Sequence, residues 1–309
     1  MSHTASRTPG CATTESAGAS IATPRREEPF QRALRRFLRH RPAIVGSVIL
    51  VTIVTGAIFA PWVAPQDPIK TNLQIVDQPP SVHHWLGGDR SGRDVWSRVV
   101  YGTRVSLVVG FVAVGLYVLI GTLLGLISGF AGGVIDQLLM RLTDTVLSIP
   151  TLLLVIVFAS VVGPSLYSVI AAIGLLGWPG TARIVRGQVL SLREAEFVMA
   201  ARALGATSPH IAARHLLPNI FGPLSVVATF GVASAILLEA ALSFLGLGVQ
   251  PPTPSLGDMI NQARAPSVLH DIPWLWIPPG IVIALTVLAV NFVGDGLRDA
   301  LDPRSTRRG

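Results

Sequence analysis

Lys70 is the only lysine among 24 basic residues, so the P-loop route to ATP hydrolysis is closed to this chain. A P-loop needs a lysine directly after glycine to reach the β- and γ-phosphates, and Lys70 follows Ile69. The seven histidines form no His-Glu-x-x-His pair, and there is no Gly-x-Ser-x-Gly elbow to present a nucleophile. His83-His84 is the one adjacent pair. Adjacent residues project differently, and no carboxylate or cysteine cluster completes a ligand set, so no metal site is expected. The single cysteine, Cys11, excludes intrachain disulfides and iron–sulfur clusters. Two features remain that could carry function: Glu239, an acid inside a long apolar stretch, and an arginine-bearing segment over 183–219.

These residues are carried by an unusually apolar chain. Of 309 residues, 50% are hydrophobic and 13% charged, about half the charge of a soluble domain. An ordinary cytosolic enzyme, a disulfide scaffold and a disordered protein are all excluded. The net charge of +7 would suggest nucleic acid in a soluble protein. In so apolar a chain it marks the cytoplasmic ends of membrane helices, and no nucleic-acid partner is expected. Charge-free windows lie between Arg41 and Asp67, Arg104 and Asp136, Asp144 and Arg183, Arg214 and Glu239, and Asp271 and Asp295. A span needs about 20 apolar residues. The third window holds two, divided at Gly163-Pro164-Ser165. The expectation is an all-α polytopic protein with six spans, near 43–62, 106–130, 145–162, 166–184, 221–245 and 274–295.

Arginine placement sets the orientation. With the N-terminus inside, inside segments carry 18 Lys+Arg and outside segments 6, the split the positive-inside rule prefers. Both termini are therefore expected in the cytoplasm of a bacterial cell, with the chain in its inner membrane. Residues 1–42 form a cytoplasmic tail, 43–62 the first span, 63–105 an extracytoplasmic segment, 106–296 the five-span core and 297–309 a second tail. The first apolar stretch follows a long arginine-rich tail and reads as an uncleaved anchor rather than a signal peptide. Residues 1–24, rich in Ser, Thr, Ala and Gly, are expected to be disordered. Phe30, Leu34, Phe37 and Leu38 then recur at helical spacing among arginines. This basic amphipathic helix suits an anionic leaflet or a cytosolic partner.

Glu239 falls late in the fifth span, near the outer interface. It either bonds a neighbouring helix or lines the pathway. Gly121, Gly125, Gly129 and Gly133 repeat every four residues on the second span and make a smooth face for close packing, within the chain or against a partner.

The loop between the fourth and fifth spans, 186–220, is long and patterned for helix. Ser191 can cap a helix running to about Leu204, with Glu194 at the third position as in a capping box. Gly205 breaks it. Thr207 or Ser208 can start a second short helix with Pro209 in its first turn, and Leu217-Pro218-Asn219 closes it. Two short helices joined by an elbow form a knob suited to a cleft in another protein. A passive interfacial helix is the alternative.

Met199-Ala200-Ala201, Gly205 and Leu217-Pro218 resemble the "EAA" loop of permease subunits in binding-protein-dependent ABC importers. Glu196–Gly205 and Arg214–Asn219 are similar to the version of that loop in the peptide/nickel branch, the C-type permease of dipeptide and oligopeptide importers. So are His84–Val95, Glu239–Pro254 and Gly294–Arg304. The resemblance covers roughly residues 30–304. Two positions depart from the pattern: Met199 stands where the motif glutamate is usual, and His215 where isoleucine is usual. Glu196, three residues earlier on the same helical face, is the candidate substitute.

The resemblance implies the type I ABC importer permease fold and a non-enzymatic chain. This chain and a second permease would form the translocation path. Two cytosolic ATPase subunits or domains would hold ATP and Mg, none of it bound here. An extracytoplasmic binding protein would deliver di- or oligopeptides, or nickel or another small solute. The ATPase-coupling residues it implies are Glu194, Glu196, Ala200, Ala201, Gly205, Ala206, Pro209, His210, Ile211, Arg214 and Pro218. A stand-alone secondary transporter would instead show an ion-coupling residue near mid-membrane and an internal repeat, and neither is visible.

Overall fold

The computed structural model describes residues 29–301, all of whose regular elements are helical. The segment 1–24, Cys11 and the final tail from 302 lie outside the described residues. Helix α1 (Pro29–Phe37) leads through a short turn into α2 (Arg41–Ile58), which starts on His40, whose ring accepts from the Ala43 amide at 3.3 Å. The short α3 (Ala60–Val63) follows, then an irregular segment to residue 94. Helix α4 (Val95–Ala131) is the central column. Its 37 residues reach about 55 Å at 1.5 Å per residue, longer than the ~30 Å hydrocarbon core. After it come α5 (Gly133–Leu147), α6 (Thr151–Val162), α7 (Leu166–Leu176) and α8 (Trp178–Leu192). Then come the loop helices α9 (Glu196–Ala203) and α10 (Ser208–Ile211), and α11 (Leu217–Phe244). The chain closes with α12 (Leu256–Gln262), α13 (Pro266–Asp271) and α14 (Ile277–Leu301).

Among the described residues, five helical stretches are long and apolar enough to cross a membrane: Arg41–Ile58, Val95–Ala131, Leu166–Leu192, Ser208–Phe244 and Pro273–Leu301. The expected span over 145–162 is not one continuous helix. Its residues fall in the end of α5 and in α6, which meet at an 84° bend and make the sixth crossing if taken as one broken element. The bend falls where Pro150 removes an amide donor and disfavours a helical Ile149. The second span also begins earlier than 106, because Asp94 caps α4 by accepting from the Ser97 amide at 2.8 Å.

The α4 glycines show why the column packs so tightly. A Cβ on Gly121 would lie 2.6 Å from Thr181, one on Gly125 2.6 Å from the Ala182 carbonyl, and one on Gly129 2.7 Å from Val189. These three glycines seat α8 against α4 within this chain. Gly133 does not belong to that face. It has φ +55° with open space beside it and helps turn the chain into α5. A buried cluster including Val109, Ala113, Val114, Val169, Ile173, Val232 and Ile236 ties α4, α7 and α11 together. Helix α14 packs on α2 and α11. The amphipathic α1 does not lie apart from the bundle: it packs on the end of α14, where the Phe37 ring faces Gly296. His40 reaches Asp299 at 3.4 Å.

Candidate functional site

The α9–α10 loop stands on a small core of its own. Val198, Ile211, Leu216 and Ile220 are buried against Val185 and Val189 of α8. Its first helix begins later than the sequence pattern suggested. Helix α8 runs on to Leu192, carried by buried Val185 and Val189, so Ser191 lies inside it and caps nothing. Helix α9 starts at Glu196, with Ala195 as its side-chain-free cap. Glu194 sits in the turn, exposed and 3.7 Å from Arg193. Glu196 occupies the first turn of α9, where a carboxylate suits the helix dipole.

Gly205 forms the elbow. Its φ is +81°, a region that glycine enters without strain. The Ala206 amide donates to the Ala201 carbonyl at 3.0 Å and the Gly205 amide to Arg202 at 2.9 Å, the bonding pattern of a Schellman turn. Thr207 then precedes α10 with Pro209 in the first turn. The closure expected at Leu217-Pro218-Asn219 does not occur. A π-helical segment, Ala212–Leu216, joins α10 to α11, and Pro218 falls in the first turn of α11, where its missing amide costs little. The loop therefore feeds straight into a membrane helix.

Two contacts fix the knob to the bundle. The Arg202 guanidinium lies 5.2 Å from the centroid of the Phe130 ring, and Arg193 donates to the Gly129 carbonyl at 3.3 Å. Both partners are at the end of α4. Nearby, Arg186 of α8 makes a two-pronged pair with Asp136 of α5 at 2.5 and 2.6 Å, and Ser128 of α4 donates to the same carboxylate. A push on the knob thus meets α4, α8 and α11 directly and α5 through Asp136.

The residues expected to contact an ATPase divide by exposure. Glu194, Glu196, Ala200, Gly205, Pro209, His210, Arg214 and Pro218 are exposed, whereas Ala201 and Ala206 are half-buried. Ile211 is 1% exposed. It cannot touch another protein and instead anchors the knob. Sequence reasoning missed Leu204, which stands at the elbow 89% exposed, with Phe197 and Met199 also exposed on α9. Its position directly before the helix-breaking glycine was the available signal.

At the other end of α4 a polar knot closes the bundle. Asp89, fully buried, accepts from the Arg93 amide at 2.9 Å and from the Arg93 side chain at 2.7 Å. Buried Arg98 lies 3.4 Å from both Asp89 and Asp258. Gln262 donates to Asp258 at 2.6 Å and accepts from Arg93 at 3.2 Å. Burial pushes the Asp258 carboxyl up from its ordinary value, against the opposing pull of Arg98. His84 adds a 2.9 Å contact to Asp94. Gly88 admits no side chain, since a Cβ would lie 1.8 Å from the Ile75 carbonyl. The His84–Val95 stretch is thus a folded cap tied to α12.

Glu239 is sealed beneath this cap, 0% exposed. Its carboxylate accepts from Ser106 of α4 at 2.7 Å and Ser243 at 2.8 Å. One side chain thereby ties α4 to α11.

A bundle of membrane-length helices, a capped end and a helical knob at the other define a multi-pass membrane transport component. Residues 121–307 match the family described as the binding-protein-dependent transport system inner membrane component, and the chain belongs to that family. Residues 28–80 match the N-terminal transmembrane domain of oligopeptide transport permease C. A Brucella ovis relative, whose name describes a peptide permease protein, is 46% identical over 277 residues, 90% of this chain and 92% of its own length. The dipeptide transport system permease protein of Alkalihalophilus pseudofirmus is 44% identical over 276 residues, 89% of this chain and 90% of its own. The chain is accordingly an inner-membrane permease component and not itself an enzyme.

Proposed function

We propose that this chain is one of two permease subunits that together form the path of an ATP-driven importer of di- or oligopeptides. Both termini lie in the cytoplasm in this reading, with the α9–α10 knob on that face and the polar cap outside. Two cytosolic ATPase subunits bind ATP and Mg. An extracytoplasmic binding protein delivers peptide to the capped face. The peptide assignment rests on the names of the relatives; nickel or another small solute would use the same architecture.

The observation that carries the reading is the knob. It is packed from below by Val198, Ile211 and Leu216, fixed to the end of α4 by Arg193 and Arg202, and bare at Leu204. An apolar tip on a rigid base is suited to a cleft in a separate motor chain. Closure of the ATPases would displace it and bias the bundle between two states, because ligand on one chain shifts the equilibrium of another. Glu196 and Arg214 rim the contact, with Glu196 in place of the glutamate that Met199 replaces. Glu239 holds the outer helices in register and takes no part in the pathway. Leu204→Cys with a short bifunctional cross-linker tests this. Cross-linking to an ATPase subunit, changed in yield by ATP and vanadate, is expected. Labelling of Leu204→Cys only by an impermeant outside reagent would reject it.

A further inference from the structure

Two cavities lie along one stripe of α4, and neither is part of the knob or the cap knot. The first, 510 Å³, opens beside the cap and is lined by Gln66, Asp67, Tyr101 and Arg104. The second, 360 Å³, is a groove between α2, α4, α11 and α14, lined by Leu50, Phe111, Gly115, Val118, Val232 and Val290. Arg104, Val108, Phe111 and Gly115 follow one another at helical spacing, so they share a face. Phe111 and Gly115 lie about 10 and 16 Å along the helix from Arg104 at 1.5 Å per residue.

The chemistry changes along that stripe as it does along a phospholipid. At the top, Arg104 is exposed and has no ion-pair or hydrogen-bond partner among the described residues. Asp67 lines the same cavity; one of its oxygens accepts from the Ile69 amide at 2.8 Å, and it forms no ion pair with Arg104. Below, the walls are aliphatic and aromatic. The one hydroxyl there, on Thr229, is already given to the Ser225 carbonyl at 2.7 Å. Gly115 leaves the groove floor open, with no atom within 4 Å of where a Cβ would stand.

We infer that this stripe is a binding site for an aminophospholipid, with its phosphate on Arg104, its ammonium toward Asp67 and an acyl chain in the groove over Gly115. A cation and an anion held in one cavity match a zwitterionic headgroup, a primary ammonium can donate to the Asp67 carboxylate where a trimethylammonium cannot, and the apolar groove further along α4 matches the tail. The inference does not depend on what the protein transports.

The test uses the full chain purified in mild detergent, stripped of lipid and offered phosphatidylethanolamine, phosphatidylglycerol or phosphatidylcholine, with bound lipid read by native mass spectrometry. Phosphatidylethanolamine should be retained over the other two. Arg104→Gln should lower its retention about tenfold, the loss expected from one charge-assisted contact. Gly115→Phe should abolish retention by filling the groove. Equal retention of all three headgroups, or full retention in both variants, would overturn the proposal. A second arm needs neither variant to fold. Benzoylphenylalanine placed at Phe111 should give, on illumination in membranes, an adduct of phospholipid mass. An adduct with a protein chain would show instead that a partner subunit covers this face.

Discussion

Gly205 offers a clean separation of backbone from bulk. Its φ of +81° is fixed by the two turn bonds from Gly205 and Ala206 to Arg202 and Ala201. A Cβ there meets nothing within 4 Å of its own chain. Substitution therefore acts inside this protein through backbone strain alone, and any added bulk is felt only by whatever docks on the knob. An L-residue in the left-handed region costs about 1–2 kcal/mol, and a β-branched one more. That shifts the elbow's equilibrium by a factor of about 5–30. Asparagine tolerates this region best among non-glycine residues. The expected order of knob integrity is Gly, then Asn, then Ala, then Val. Hydrogen exchange over 196–211 in the purified chain reads the elbow, and co-purification of the ATPases reads docking. Gly205→Asn should keep most of both, and Gly205→Val should speed exchange and lose most ATPase recovery. Matching exchange and recovery in Gly205→Val and wild type would refute the claim that this turn sets the knob's shape.

Gly125→Val should destabilise the bundle by about 1–3 kcal/mol through overpacking against Ala182 and Val185, read as a lowered melting temperature in detergent; an unchanged melting point would mean that α4 and α8 are not in close contact. Glu239→Ala strips the buried serine hydroxyls of their acceptor, at about 1–3 kcal/mol, whereas Glu239→Gln keeps a carbonyl acceptor and should lose less; equal loss in the same melting assay would argue against the serine cluster. Asp258 has its carboxyl raised by burial. A raised folded-state acid contributes stability that is full below its ordinary pKa and is lost as pH rises through the folded value. Hydrogen exchange over 84–98 should accordingly quicken as pH climbs above the ordinary carboxylate range, after correction for the intrinsic rate. Asp258→Asn should flatten that trend, and a trend that persists in it would assign the effect elsewhere.

Much of this arrangement was legible because membrane burial acts on composition. Charge-free windows located the helices, and the four-residue glycine repeat announced a close-packed face at three of its four positions without saying that α8 would fill it. Direction was harder to see. Hydropathy over 145–162 looks the same whether the chain runs straight or turns through 84°, and only Pro150 hinted at the turn. Arg98 and Arg104 made the start of α4 look like loop. Arg98 is tolerated there because Asp258, distant in sequence, comes back beside it, a pairing no local pattern contains. Ser191 and Glu194 matched a capping box that the continuing apolar stripe of α8 overrides. Pro218 reads as a stop in sequence but sits in the first turn of α11. The two-serine setting of Glu239 likewise depends on folding, since Ser106 lies 133 residues away. The elbow at Gly205 was the exception: the need for glycine at a left-handed turn is local, and the sequence displays it.

Uptake of a labelled dipeptide into cells tests the central claim most directly. The comparison is among a strain deleted for this chain, the same strain re-expressing it, and the same strain expressing Gly205→Val. Uptake should be absent in the deletion, restored by the wild-type chain and largely absent with Gly205→Val present at normal membrane levels. Undiminished uptake of dipeptides and longer peptides in the deletion strain, with its other peptide importers removed, would contradict a role for this chain in peptide import.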